Sequence, residues 1–188
     1  IRTVDILPVY GRLSYDTDIY RFTVSAGSSD IGLYKFTSHV GMVSVQMNAI
    51  ELYDVTTPSE VLLYSASTIG RGNDFVEDMY FDTMGIGQRT EVIVTAGQPR
   101  TFVIRGRFGG MVAGSVVSTT LFGDLTDAGY TPFMQPAETI NQSVENDFIW
   151  SDRHAWSVPH STVSADWTNG YLVRGMNGNH TSVWSVSY

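Results

Sequence analysis

Three aspartates near the C-terminus, Asp147, Asp152 and Asp166, flank two tryptophan-bearing segments. Carboxylates carried on loops are the donor set of a Ca²⁺ site. The chain has no Asp-x-Asp-x-Asp-Gly loop; Asp16-Thr17-Asp18 runs on into Ile19. A second acidic group, Asp74, Glu77, Asp78 and Asp82, offers the same donors. The alternative for both groups is that aspartates cap turns through nearby backbone N–H groups. Ca²⁺ is thus the only cofactor to weigh. His154 and His160 stand six apart with Pro159 between them, which suits no helical zinc motif and fits histidines satisfied inside the fold. Gly70-x-Gly72 and Gly85-x-Gly87 lack the third glycine of a dinucleotide loop, and no GxSxG elbow or P-loop occurs. Lys35, the only lysine, sits amid strand-forming residues. It is either a crosslinking amine facing Asn or Asp, or an edge residue whose stem packs along a sheet.

All four tryptophans, Trp150, Trp156, Trp167 and Trp184, fall in the last 39 residues. With Tyr171 they form a core layer, an interface rich in aromatic anchors, or a stacking surface for sugars.

These residues need elements to hold them, and the dominant pattern along the chain has period two. Ile19, Arg21, Thr23 and Ser25 alternate with Tyr20, Phe22, Val24 and Ala26. In 31–40, Tyr34, Phe36, Ser38 and Val40 oppose Leu33, Lys35, Thr37 and His39. Segment 43–54 shifts parity, which predicts a bulge near Asn48 and Ala49. Further strands are expected at 60–66, 75–82, 90–96, 100–109, 112–123, 147–152, 170–174 and 181–188, with turn residues between them. Short strands without crossover helices predict an all-β chain: an antiparallel β-sandwich of Greek-key or immunoglobulin-like character. Segment 124–146, with Pro132 and Pro136, reads as one long irregular connection containing a helical turn at Ala137-Glu138-Thr139-Ile140. The chain reads as a single domain over 1–188, subdividing if at all into 1–123, 124–146 and a Trp-rich 147–188.

Composition narrows the role. The chain has 188 residues, no cysteine, 16% charged residues and net charge −8. Ser and Thr, 19 of each, replace the charged residues that usually make up about 25% of a chain. Eleven basic residues against nineteen acidic ones form no cluster for phosphate, so nucleic acid is not an expected partner. No stretch approaches the 18 apolar residues of a membrane helix. Zero cysteine excludes disulfides and thiolate chemistry. A start at Ile1, without Met or a basic-then-apolar leader, is read as a mature form or fragment whose leader is gone. The sequons at Asn141 and Asn179 are of the kind that arise by chance in a Ser/Thr-rich chain.

Asn146-Asp147-Phe148-Ile149-Trp150-Ser151-Asp152, then His160-Ser161, then Asp166-Trp167-Thr168-Asn169-Gly170-Tyr171-Leu172-Val173, form the fullest local signature. It resembles the C-terminal part of large Ser/Thr-rich surface proteins predicted from uncultured, small-genome bacteria. Asp30 to Thr37, Glu51 to Val55, Thr101 to Arg105 and Val117 to Asp124 look like the β-rich module that precedes that tail. The resemblance implies an exported β-sandwich at the cell surface. The chain departs from it in ending with an aromatic strand-like tail, Asn177 to Tyr188.

The expected function is therefore that of a non-catalytic extracellular structural protein, the subunit of a cell-surface polymer such as a filament, pilus or surface layer. Its partners would be copies of itself, joined by a donated strand and aromatic anchors. The termini supply the expected contacts: Val4 and Ile6 at one end, and Trp184, Val186 and Tyr188 at the other. The alternative is a carbohydrate-binding or adhesive module in which Trp150, Trp156, Trp167 and Tyr171 meet surface glycans, with an enzyme a distant third.

Overall fold

The computed structural model describes residues 3–81, 89–126, 136–141, 146–153, 160–176 and 184–188. They form β1 (Thr3–Leu7), β2 (Asp16–Ser25), β3 (Ile31–Val43), β4 (Gln46–Asp54), β5 (Val61–Ser67), β6 (Asp74–Tyr80), β7 (Val92–Val94), β8 (Arg100–Gly109), β9 (Val116–Leu121), α1 (Ala137–Asn141), β10 (Phe148–Ser151), β11 (Trp167–Asn169) and β12 (Trp184–Ser187). One sheet has the order β1-β2-β8-β4-β5. The other follows β11-β10-β3-β9-β12, with β6 and β7 also paired to β3. All strand pairs are antiparallel. The expected antiparallel β-sandwich is what the chain folds into.

Period-two alternation sends Tyr20, Phe22 and Val24 of β2 and Phe102, Ile104 and Phe108 of β8 into the space between the sheets. There Phe22 meets Phe102 at 5.4 Å and Phe36 of the opposite sheet at 4.8 Å, while Phe36 stacks on Phe148 at 4.9 Å. Each fully buried ring contributes roughly 1.5–3 kcal/mol. The parity shift predicted near Asn48 and Ala49 is a register shift between Met47 and Ala49 against β8. The sequence reading missed three further irregularities. β4 slips against β5 between Leu52 and Tyr53. β2 slips against β8 between Asp18 and Tyr20, which corrects the expected opposition of Ile19 to Tyr20, since both join the core. β3 also slips against β10 across Ile149 and Trp150, so Ile31, Leu33 and Phe36 all join the main core while Tyr34 turns to the outer side. The expected set of Tyr34 with Phe36, Ser38 and Val40 is corrected accordingly. The outer cluster is Tyr34, Ile149 and Trp167 under Ala137 and Ile140 of α1. The helical turn expected at 137–140 thus covers one outer face.

Segment 170–174, expected as a strand, is a turn closed by Val173 N–H donating to the Gly170 carbonyl, with Leu172 at φ 63°. The strand in this region is Trp167–Asn169 instead. Both terminal strands lie in the chain's own sheets. β1 pairs β2, and its outer side is latched where Val4 N–H donates to the Arg174 carbonyl. Gly175, at φ 95°, makes that latch possible, because a Cβ there would sit 1.9 Å from the Val4 carbonyl oxygen. β12 pairs β9, and the Ser187 carbonyl accepts from Leu13 N–H on its other side. Val4 and Val186 point into the core, which corrects their assignment as contacts between subunits.

Candidate functional site

The C-terminal signature folds into one polar network. Asp124, at the end of β9's extension, is 1% exposed, and its carboxylate accepts backbone N–H groups from Asp147 (2.8 Å), Phe148 (3.2 Å) and Gly170 (2.7 Å). Burial pushes this carboxyl up to about 6, although the three N–H donors pull the other way. Gly170 has no room for a side chain: a Cβ would lie 2.8 Å from Asp124 Oδ2. Asn169 donates to the Asn146 side chain and the Thr126 carbonyl, and its own carbonyl accepts from the Trp150 indole. The Trp167 indole donates to the Ser161 carbonyl. The signature residues thus satisfy one another.

His160 lies at the far end of this network. Its Nε2 is 2.9 Å from Asp166 Oδ1 and 3.1 Å from Ser151 Oγ. Its Nδ1 is 2.9 Å from Glu91 Oε2, off the hydrogen-bonding direction, and Arg153 pairs with the other oxygen of Glu91. A Ser–His–Asp relay needs serine and aspartate on opposite ring nitrogens. Here both meet Nε2, and Ser151 is fully buried.

The structure does not bring the first three expected Ca²⁺ donors together. Asp166 is engaged with His160, and Asp147 contributes its backbone N–H to Asp124. The second acidic group is also divided: Asp74 meets His39, Glu77 meets Arg71 and Tyr64, and Asp78 meets Lys35 and Thr37. Asp82 and His154 lie outside the described residues. No group of three His, Asp or Glu among the described residues is arranged to hold a metal ion. Lys35 sits on the central strand β3, not at an edge, with its Nζ 3.4 Å from Asp78 and 5.9 Å from the Tyr80 ring centre.

The aromatic surface expected from the tryptophans is likewise corrected. Trp150 is 4% and Trp167 1% exposed, so neither ring offers a face to a ligand. Tyr171 is partly exposed, and Trp156 lies outside the described residues. Ile6 is half-buried at the sheet margin, Trp184 is placed only by its backbone pairing to Thr119, and Tyr188 is exposed beside Arg12.

An open groove lies on the outer face of the five-stranded sheet. It encloses about 400 Å³ over β2, β8 and β4, walled by the connection that carries Tyr10, Arg12 and Ser14. Registration builds its floor. Asp16 stands opposite Arg107, and Asp18 opposite Arg105, which in turn faces Glu51 of β4. Arg105 Nε reaches Asp18 at 2.7 Å, while its two terminal nitrogens hold Glu60 at 2.9 and 3.2 Å. That pairing holds the Glu60 carboxyl below its ordinary range. Arg107 reaches Glu51 at 3.0 Å and Asp16 at 3.5 Å. The Tyr53 hydroxyl donates to Glu51 at 2.9 Å, and the Arg105 guanidinium stacks 4.7 Å from its ring centre. Burial, and then the Glu51 carboxylate, push the Tyr53 hydroxyl's pKa up. The sequence reading missed this site. Its signal was the i, i+2 spacing in Asp16-x-Asp18, Arg105-x-Arg107 and Glu51-x-Tyr53, which puts each pair on one face. Only the order β2-β8-β4 makes them one surface.

Among the described residues β5, β6, β7 and β11 each pair another strand on one side only, and the edge of β5 begins with two adjacent exposed apolar residues. β5 pairs β4 on one side and no strand on the other among the described residues. Val61 and Leu62, at its start, are 49% and 45% exposed. No helix among the described residues is long and apolar enough to cross a membrane. No family model, curated protein or solved structure matches this chain.

Proposed function

We propose that the chain is a non-catalytic structural module of an extracellular, cell-surface protein that assembles with copies of itself through a strand edge. The observation that carries this reading is the open edge of β5. Among the described residues no strand pairs the outer side of its seven residues, and the exposed Val61 and Leu62 lie at its start. Such an edge is a template for a further strand. The terminal strands are less available, because Arg174 and Leu13 already occupy their outer sides. The fate of the signature residues supports the non-catalytic part. Asp124, Asn146, Asn169, His160 and Asp166 all bond to partners within the fold. A contact from β5 to a different surface of the next copy propagates instead of closing, as a filament or layer requires.

Electron microscopy and light scattering of the purified protein test the reading. Concentration-dependent polymers are expected, and Leu62→Lys should abolish them without changing the circular dichroism spectrum. A wild-type protein that stays monomeric up to millimolar concentration, or polymers indifferent to Leu62→Lys, would overturn it.

A further inference from the structure

We propose that the groove on the outer face of the five-stranded sheet binds a neutral oligosaccharide, a short run of sugar rings whose hydroxyls carry no charge. This goes beyond the assembly role and does not depend on it.

The volume of about 400 Å³ falls within the range of small-molecule sites, roughly 300–1,000 Å³. Its lining excludes an apolar ligand: every lining side chain carries a hydrogen-bonding group, and none is aliphatic. Ordinary small-molecule pockets are mostly apolar. A lipid or aromatic drug-like ligand would strip water from these groups and return nothing.

Charge narrows the class further. Three arginines, Arg12, Arg105 and Arg107, meet three carboxylates, Asp16, Asp18 and Glu51. The two strand-borne arginines are already engaged, Arg105 with Asp18 and Glu60, and Arg107 with Glu51 and Asp16. At Arg105 and Arg107 a phosphate, sulfate or uronate would have to displace a carboxylate already in place, and a cation an arginine already in place; Arg12, over the Tyr188 ring, is the lining arginine without a carboxylate partner among the described residues. With Glu60 counted, four carboxylates stand against three arginines, so the site offers an anion no net attraction.

Hydroxyl groups have no such conflict. Each one donates and accepts, so it can give its proton to a free carboxylate lone pair and receive an N–H from the neighbouring guanidinium while the ion pair stays intact. Two adjacent sugar hydroxyls match the planar, two-pronged arrangement of paired guanidinium and carboxylate. The ladder of pairs across β2, β8 and β4 holds those prongs rigid, which spares a ligand the cost of ordering them. One aromatic face completes the site: Tyr10 stands at the mouth, 85% exposed, with its ring free to cover the C–H face of a sugar, while Tyr53 is pinned beneath Arg105.

The experiment is titration calorimetry of the whole chain against neutral oligomers of glucose, mannose and N-acetylglucosamine. A polyuronate and a sulfated glycan serve as charged comparators. At least one neutral series should bind, with an affinity that is nearly flat between low and high salt. Tyr10→Ala, on an exposed connection that cannot unfold the sandwich, should weaken binding several-fold. Arg107→Gln should weaken it about tenfold, the value of one charge-assisted hydrogen bond. Amide shifts on titration should map to β2, β4 and β8. The proposal is overturned if no neutral oligomer binds, if only the charged glycans bind, or if binding ignores both substitutions.

Discussion

The signature network and the outer groove are made from the same kinds of residue, arranged to opposite ends. Both combine carboxylates, arginines and aromatic rings. Around Asp124 and His160 those groups face inward, each held by a backbone N–H, an indole or an amide from a neighbouring segment. Around Arg105 and Arg107 they are also paired, but the pairs lie under open water. Residue type therefore says little about role. What separates a brace from a binding surface is whether the paired groups keep a free side.

The comparison is easiest to break with Trp167→Ala. Removing this 1%-exposed ring from beneath α1 should cost about 4 kcal/mol by denaturant unfolding, the range of large aromatic truncations. A cost below about 1 kcal/mol would mean the network is not structural. Asp124→Ala orphans three buried N–H groups and should cost about 3 kcal/mol. Its pH dependence sharpens the point. The native carboxyl is raised from 3.8 to about 6, so the folded state holds this proton more tightly than the unfolded state does. That contribution is full below 3.8 and is lost as pH rises through about 6. The stability gap between wild type and Asp124→Ala should therefore widen as pH falls from 6 to 4. A gap constant across that window would contradict the buried-carboxylate account. In the groove, Arg107→Gln takes the cation away from Glu51, which is itself only 4% exposed, and should cost about 2 kcal/mol. Tyr10→Ala should change stability by less than about 0.5 kcal/mol, as exposed substitutions do. If either groove change destabilised the fold as much as Trp167→Ala, the groove would be a brace as well.

Much of the sandwich was legible because a pleated strand buried on one face writes its period into the sequence. Phe22, Phe102 and Phe108 could be placed inward from alternation alone, and the parity change at Ala49 signalled its bulge. The slip at Tyr34 was not legible, because β3 is covered on both faces and every position from Ile31 to Ser38 is buried. With both faces apolar or packed, alternation carries no phase. Clustering of the tryptophans was visible, but the inward direction of Trp150 and Trp167 was not, since a Trp strand looks the same whether α1 covers it or a ligand does. The groove was least legible. Its charged pairs are far apart in sequence and meet only through the order β2-β8-β4, which no local pattern encodes.

The latch between Val4 and Arg174 ties the beginning of the chain to a turn made almost at its other end. A nascent chain shorter than that turn has nothing to fasten the outer side of β1. Gly175→Ala would leave the residue in place but push it against the Val4 carbonyl, separating the two. The latch joins segments far apart in the chain, and contacts of such separation form slowly. The module should remain open, and accessible to proteases at its first strand, until synthesis has passed Gly175.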